Sequence, residues 1–523
     1  MGRWEVQRLS GVDSAFLSLE TPTNHMHVCM VSTFDATAMP GGYSFEKVRD
    51  HIANRLGQLP EFRRRPVGVP FGLHFPIWVQ DPGFDLDYHV RRMAVPSPGG
   101  IRELATMASD FAGRQLDRTK PLWEIYVVEG VGPNIFGLLA KVHHSSIDGV
   151  SGAETMVHLF DLEPKAAEPA PIEDPPEFER IPNDWELVAH AARSLARQPL
   201  QLARILPAAT RSVRDLVRLR RDPASPNMPA PFSAPRTPFS GSVTAHRSVA
   251  GTRLSLQDVK AVRRAFGVTV NDVILALCGG ALRNYLLRRA CLPETSLVAV
   301  VPVSVRGTEG VEGANQISAM FASIGTHLAD PGARLAHVSA TTRSAKEEHQ
   351  AIGATTLTDW AQFAAPAVFS MASRAYTSMK LADRHRPIHN LVISNVPGPP
   401  FPLYLGGAKL TMLSPLGPVM EGAGLNITVL SYMDAIDVGL ISCRELVPDL
   451  WDLARDFDVA MAELSAAAQA LAPDPKGKGS GRRRPAKPPG RAGTNSQAAG
   501  GAPTRHTARA AGGAAGAATA KSA

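Results

Sequence analysis

Residues 138–154 read LLAKVHHSSIDGVSGAE, which sets His143 beside His144 and follows them with Asp148 and Gly149. Imidazole is the natural proton acceptor near neutral pH, and a well-placed base is worth about 10²–10⁴-fold in rate. The apolar run before the histidines has the length of a buried strand. Asp148-Gly149 is a turn signal, and Ser151 with Glu154 fits a helix capping box. The spacing therefore predicts a strand–loop–helix junction, where side chains can face a cleft. Asp148 can pin such a loop if it finds a basic partner. Two blander alternatives stay open on these residues: a chance pair on a helix surface, and a metal site. No third ligand stands at metal spacing, so no metal is expected.

The elements that must position this segment follow from periodicity. Residues 1–162 read as an N-terminal α/β subdomain with a strand over 27–34, a helix over 101–115 and a strand over 135–142. Residues 163–242 read as a linker. It opens and closes rich in proline, and its middle, 183–221, is helical in spacing but interrupted by Pro199 and Pro207. That middle part also carries an excess of arginine. Residues 243–473 read as a C-terminal subdomain with helices over 255–266 and 270–289 and buried strands over 297–303 and 390–393. A hairpin is expected from 425–432 and 438–443, and Leu450, Leu453, Phe457, Met461 and Leu464 mark one face of a closing helix.

The chain of 523 residues has a formal charge of +7, but the charge is partitioned. Residues 475–523 hold ten basic side chains and no acid, leaving 45 basic against 48 acidic residues before them. The tail from 474 is expected to be disordered, and a uniformly cationic nucleic-acid binder is disfavoured. Cys29, Cys278, Cys291 and Cys443 form no CxxC pair and read as buried thiols of a reducing compartment. No apolar run reaches the ~18–20 residues of a membrane span, and the start shows no secretory signal. The expected location is cytoplasmic.

HHSSIDG resembles the HHxxxDG motif of the bacterial wax ester synthase/acyl-CoA:diacylglycerol acyltransferase family. Further blocks are similar in the same order: residues 9–28 (LSGVDSAFLSLETPTNHMHV), 120–124 (KPLWE), 271–276 (NDVILA), 301–306 (VPVSVR) and 394–399 (SNVPGP). Two features depart from the pattern, Ala314 between Gly313 and Asn315, and the basic tail. The resemblance implies an α/β fold of the chloramphenicol acetyltransferase-like, CoA-dependent type, with two similar subdomains and the active site between them. It implies acyl transfer from acyl-CoA to diacylglycerol or a long-chain alcohol, with CoA released and no resident cofactor.

By the same resemblance His144 is the general base and His143 shapes the site. Asp148 holds the loop through a salt bridge, for which Arg306 is the suggested partner, and Gly149 leaves room for substrate. Asn271 opens an apolar helix and is either an oxyanion donor or that helix's cap. Pro121, Leu122 and Trp123 are read mainly as packing residues. No GxSxG elbow occurs, which argues against a serine esterase.

A long acyl chain gains about 0.8 kcal/mol per buried CH₂, so both acceptor and product belong to a membrane or lipid-body surface. Peripheral attachment is expected, with 183–221 the suggested patch and an interdomain connector its alternative. Two other functions remain open from sequence: an acyltransferase with a carrier-bound donor or another alcohol, and a non-enzymatic lipid-body surface protein.

Overall fold

The computed structural model describes residues 7–57, 59–146, 159–164, 182–189, 191–193, 232–304, 317–352 and 366–471. Two six-stranded mixed sheets carry the fold. Across the first run β11 (Tyr404–Leu405), β12 (Ala408–Leu416), β1 (His27–Asp35), β6 (Ile135–His143), β5 (Trp123–Gly132) and β4 (Val90–Ala94). Across the second run β7 (Arg247–Ser255), β14 (Ala435–Cys443), β13 (Leu425–Tyr432), β10 (Leu391–Val396), β8 (Val298–Ser304) and β9 (Ile317–Ser323). A small ribbon pairs β2 (Arg64–Val67) with β3 (Ile77–Gln80). The helices are α1 (Gly11–Leu19), α2 (Phe45–Leu56), α3 (Leu86–His89), α4 (Ile101–Ala112), α5 (Leu256–Phe266), α6 (Val270–Arg288), α7 (Pro331–Ile352), α8 (Pro366–Ser378) and α9 (Leu450–Leu471).

The strands expected from apolar runs form where the runs are. β13 and β14 make the expected hairpin, closed by a tight turn in which Met433 takes φ 54°. The helix expected over 101–115 stops at Ala112, where Gly113 closes the last turn by donating its N–H to the carbonyls of Ser109 and Asp110. α6 is buried on nearly every side from Asp272 to Leu286 and packs with α9 into the core beneath the second sheet. No single helix among the described residues is long and apolar enough to cross a membrane.

Chain order and sheet membership differ at one place. β11 and β12 belong by sequence to 243–473, yet β12 pairs antiparallel with β1 in the first sheet. A third core cluster also joins α4 to the second sheet, through Leu104 and Phe111 with Ile441 and Cys443. Both sheets lie in one compact unit, Met1–Ala472. The thiol reading needs one correction: Cys29, Cys278 and Cys443 are buried, but Cys291 is only half-buried, just past the end of α6.

Of the arginine-rich middle of the linker, only residues 183–189 and 191–193 are described. Leu187 and Ala191 pack on Val69, Ile77 and Val79 of the ribbon region, as a connector's would. The expected loop and capping box at 147–154, the departure at 313–315 and the basic tail all lie outside the described residues.

Candidate active site

β6 is the strand between β1 and β5, and its last residue is His143. His143 faces His27 of β1 in register, and its backbone N–H donates to the carbonyl of Leu122 at 2.9 Å. His144 donates its N–H to the carbonyl of Met26 at 2.8 Å, so neighbours on both sides hold the histidine pair at the sheet's end. The residues supplying those carbonyls come from the 9–28 and 120–124 blocks.

The 120–124 block acts through packing. Trp123 is buried and its indole donates to the Phe62 carbonyl at 2.7 Å. Glu124 sits opposite Lys141 in the β5–β6 register, with Oε2 3.5 Å from Nζ. The Lys141 ammonium also donates to the carbonyls of Phe111 and Arg114, at 3.1 and 3.0 Å, just where α4 ends.

The 9–28 block wraps the histidines. Ser10 caps α1 by accepting from the Asp13 N–H, and α1 then presents Phe16 to His144. The two rings stack with centroids 4.0 Å apart and planes 22° apart. Asn24 turns the chain back by donating to the Leu19 carbonyl, which delivers residues 25–27 to β1. Glu20 stands at the C-terminus of α1, 3.7 Å from His143 Nε2, and Arg118 donates two hydrogen bonds to it at 2.6 and 3.1 Å. Glu20 and Arg118 were not legible as site residues in the sequence. The one signal was an acid standing alone in an apolar, Ser/Thr-rich stretch.

The His143 ring accepts the Ser145 N–H at Nδ1, 3.1 Å away, with the Ser145 hydroxyl 2.7 Å from the same atom. Its proton therefore resides on Nε2, facing Glu20. Burial holds His143 well below the usual imidazole pKa, helped by Arg118. For His144 burial brings the pKa down to about 4, opposed only by its own backbone carbonyl. Among the described residues no hydrogen-bond partner stands at the buried Nδ1 of His144. The arrangement is thus a neutral, desolvated imidazole backed by an aromatic ring, able to take up a proton only from a group brought against it.

Asn271 lies on the other sheet's helix layer, in the first turn of α6. It is not the cap. Thr269 caps α6 in a reciprocal box with Asp272, and Asp272 is further held by Thr342 at 2.8 Å. Asn271 instead accepts a hydrogen bond at Oδ1 from Asn395 of β10, at 3.3 Å, which unites the 271–276 and 394–399 blocks. Asp148, Gly149 and Arg306 lie outside the described residues. Among the described residues no group of three or more potential ligands gathers as a metal site.

Four histidines sit at or near this end of the sheet, three of them buried and His144 half-buried, and desolvation lowers the pKa of His25, His27, His143 and His144 alike. An unfolded histidine titrates near 6.5, so below that pH the unfolded chain binds protons that the folded chain refuses. Stability is then complete above about pH 6.5 and is lost as pH falls toward about 4, by up to ~1.4 kcal/mol per pH unit for each histidine. Urea midpoints are expected to fall steadily through this window. A flat midpoint across it would contradict the buried, neutral cluster.

Comparison with known proteins agrees with the blocks. Residues 9–274 match the wax ester synthase/diacylglycerol acyltransferase catalytic domain, and 313–465 match the WS/DGAT C-terminal domain. A putative diacylglycerol O-acyltransferase of Mycobacterium tuberculosis is 41% identical over 461 residues, covering 88% of this chain and 90% of its own. A probable diacylglycerol O-acyltransferase of the same species is 35% identical over 463 residues, covering 87% and 98%. Among solved structures, the wax ester synthase/diacylglycerol acyltransferase from Marinobacter aquaeolei VT8 superposes with a TM-score of 0.63 at 30% identity, covering 88% of this chain and 100% of that one. The first condensation domain of the calcium-dependent antibiotic synthetase superposes at 0.52 with 15% identity, covering 89% and 97%, and speaks for the chloramphenicol acetyltransferase-like fold alone. With matched models over most of its length, relatives of this identity and the histidine pair seated on the central strand, the chain belongs to the wax ester synthase/diacylglycerol acyltransferase family.

Proposed function

We propose that this protein transfers the acyl group of an acyl-CoA to the hydroxyl of diacylglycerol, giving triacylglycerol, and that long-chain alcohols serve as alternative acceptors giving wax esters. The observation that carries the reading is His144, a half-buried imidazole kept neutral by desolvation and held against Phe16 just past the end of β6. The acceptor hydroxyl gives its proton to His144 while its oxygen attacks the thioester carbonyl, forming the new C–O bond. The tetrahedral intermediate then breaks its C–S bond, and the departing CoA sulfur takes the proton back from the imidazolium. Thiolate leaves far more readily than alkoxide, so a direct transfer needs no acyl-enzyme. The scheme consumes acyl-CoA, releases CoA and uses no resident cofactor.

Other residues act around this transfer. The Asn271 side chain has its oxygen held by Asn395, and its NH₂, with no partner among the described residues, donates to the developing oxyanion. His143, fixed between Ser145 and Glu20, holds the turn that carries His144. Asp148 pins the loop, with Arg306 its partner, and Gly149 leaves room for the substrate. The roles of Asp148 and Gly149 rest on the motif, and Arg306 is only the suggested partner. Because both acceptor and product are oils, the protein works peripherally at a membrane or lipid-body surface.

The test is release of free CoA from a long-chain acyl-CoA by the purified full chain, with diacylglycerol and hexadecanol dispersed in detergent and products identified. Triacylglycerol formed in step with free thiol is the expected result. Thiol release that depends on neither alcohol would overturn the reading.

A further inference from the structure

Helix α8 is apolar in composition yet unburied. None of its residues from 367 to 378 is fully covered, and it contains one charge, Arg374, and no acid. Val368 is 60% exposed, Met371 67% and Met379, just past the helix, 52%. With Ala375 they follow the spacing of a single helical stripe, a face that a globular protein ordinarily buries. The neighbouring turn adds to it. Phe71 takes φ 59° and presents a ring that is 89% exposed, with Leu73 beside it. The two segments are in contact, since a Cβ on Gly72 would stand 3.0 Å from that of Ala367.

This patch borders a cleft of about 910 Å³ between α8, the Pro70–Gly72 turn and α1. Leu17, Val69 and Met371 line it, Arg118 and Arg374 supply its charge, and no carboxylate is among its lining residues. Its α1 wall is the helix whose Phe16 stacks on His144, and Arg118 is the residue that grips Glu20. Beyond the helix the exposed Lys380 continues the positive edge.

From this continuity and charge we infer that α8 and the Phe71 turn form the surface that docks on an anionic phospholipid layer. The inference rests on the proposed acyltransferase reading for its purpose and on the patch for its place. An exposed aromatic tip and an apolar helical stripe insert among lipid headgroups without needing a shaped partner, and the arginine and lysine gain from anionic lipid. The cleft mouth then opens at the lipid, and its inner wall reaches the helix that backs the base. The docking surface lies on this face of the fold.

The full chain should float with vesicles of phosphatidylcholine mixed with phosphatidylglycerol. Hydrogen exchange at residues 70–74 and 366–379 should slow when these vesicles are added. Phe71→Ser with Met371→Ser, which leaves the basic tail unchanged, should weaken vesicle binding about tenfold or more. Arg374→Glu should weaken it about tenfold, and only where phosphatidylglycerol is present. Thermal melting shows whether each variant is folded, and exchange on the unmutated chain decides the matter if one is not. Protection falling wholly outside the two segments would overturn the inference. So would a double variant that floats like the parent, or a lipid-independent dimer that the double variant breaks. CoA release in detergent, measured alongside, separates the two readings. Turnover without flotation sinks the docking surface alone, and flotation without turnover sinks the acyltransferase alone.

Discussion

Replacing His144 by alanine is expected to lower kcat by about 10²–10⁴-fold while changing KM for acyl-CoA little. The backbone explains why this substitution isolates the chemistry. His144 is tied to β1 through its N–H and the Met26 carbonyl, a bond that alanine keeps. What alanine removes is the imidazole itself, together with the stack on Phe16. The unsubstituted protein should also show a displaced acid limb. A base must be unprotonated to work, and burial brings His144 down to about 4, so kcat/KM should hold well below the usual histidine range near 6.5 before it falls. Steady-state rates of CoA release across pH check both expectations. Turnover of the alanine variant within about threefold of the parent would exclude His144 as the base.

Glu124→Ala is expected to be the most damaging substitution for stability away from the chemistry, at about 3–5 kcal/mol. Lys141 has only 1% of its side chain exposed, and burial already lowers its pKa. Glu124 faces it across the β5–β6 register at 3.5 Å, and two carbonyls at the end of α4 take the remaining protons. Removing the carboxylate leaves an ammonium inside the protein with neutral partners only. Lys141→Met introduced in the same chain takes away the stranded charge, and should recover a large part of the loss. Urea unfolding of the single and double variants measures this. A loss under about 1 kcal/mol for Glu124→Ala would mean that the pair does not brace β6. Since β6 ends in the histidine pair, activity should fall with stability and return in the double variant.

The sequence and the structure divide the explanation between them in a physical pattern. Wherever a decision rests on neighbours along the chain, it was legible. The apolar runs became β1, β6, β13 and β14, the spacing of Leu450, Leu453 and Phe457 became a face of α9, and Asn271 fell at the start of α6. The histidine pair could be placed at a strand's exit for the same reason. Cap chemistry was local too, but two residues competed for it. Thr269 took the cap of α6, which released the Asn271 amide to meet Asn395.

Decisions between residues far apart could not be read in this way. Nothing in residues 404–416 says that they join the first sheet, because a strand's sequence specifies its faces and not its partner. Arg118 and Glu20 are 98 positions apart, and their grip behind His143 exists only once α1 folds over the end of β6. Arginine content suggested residues 183–221 as the lipid-facing patch, most of which lies outside the described residues, whereas the exposed apolar stripe of α8 is visible only once burial is known. By itself, then, the sequence determined the kind of chemistry, the family and the strand that leads into the histidine pair. Tertiary structure alone decided which neighbours keep those histidines neutral and oriented, because desolvation and long-range pairing depend on what packs around a residue and not on what precedes it.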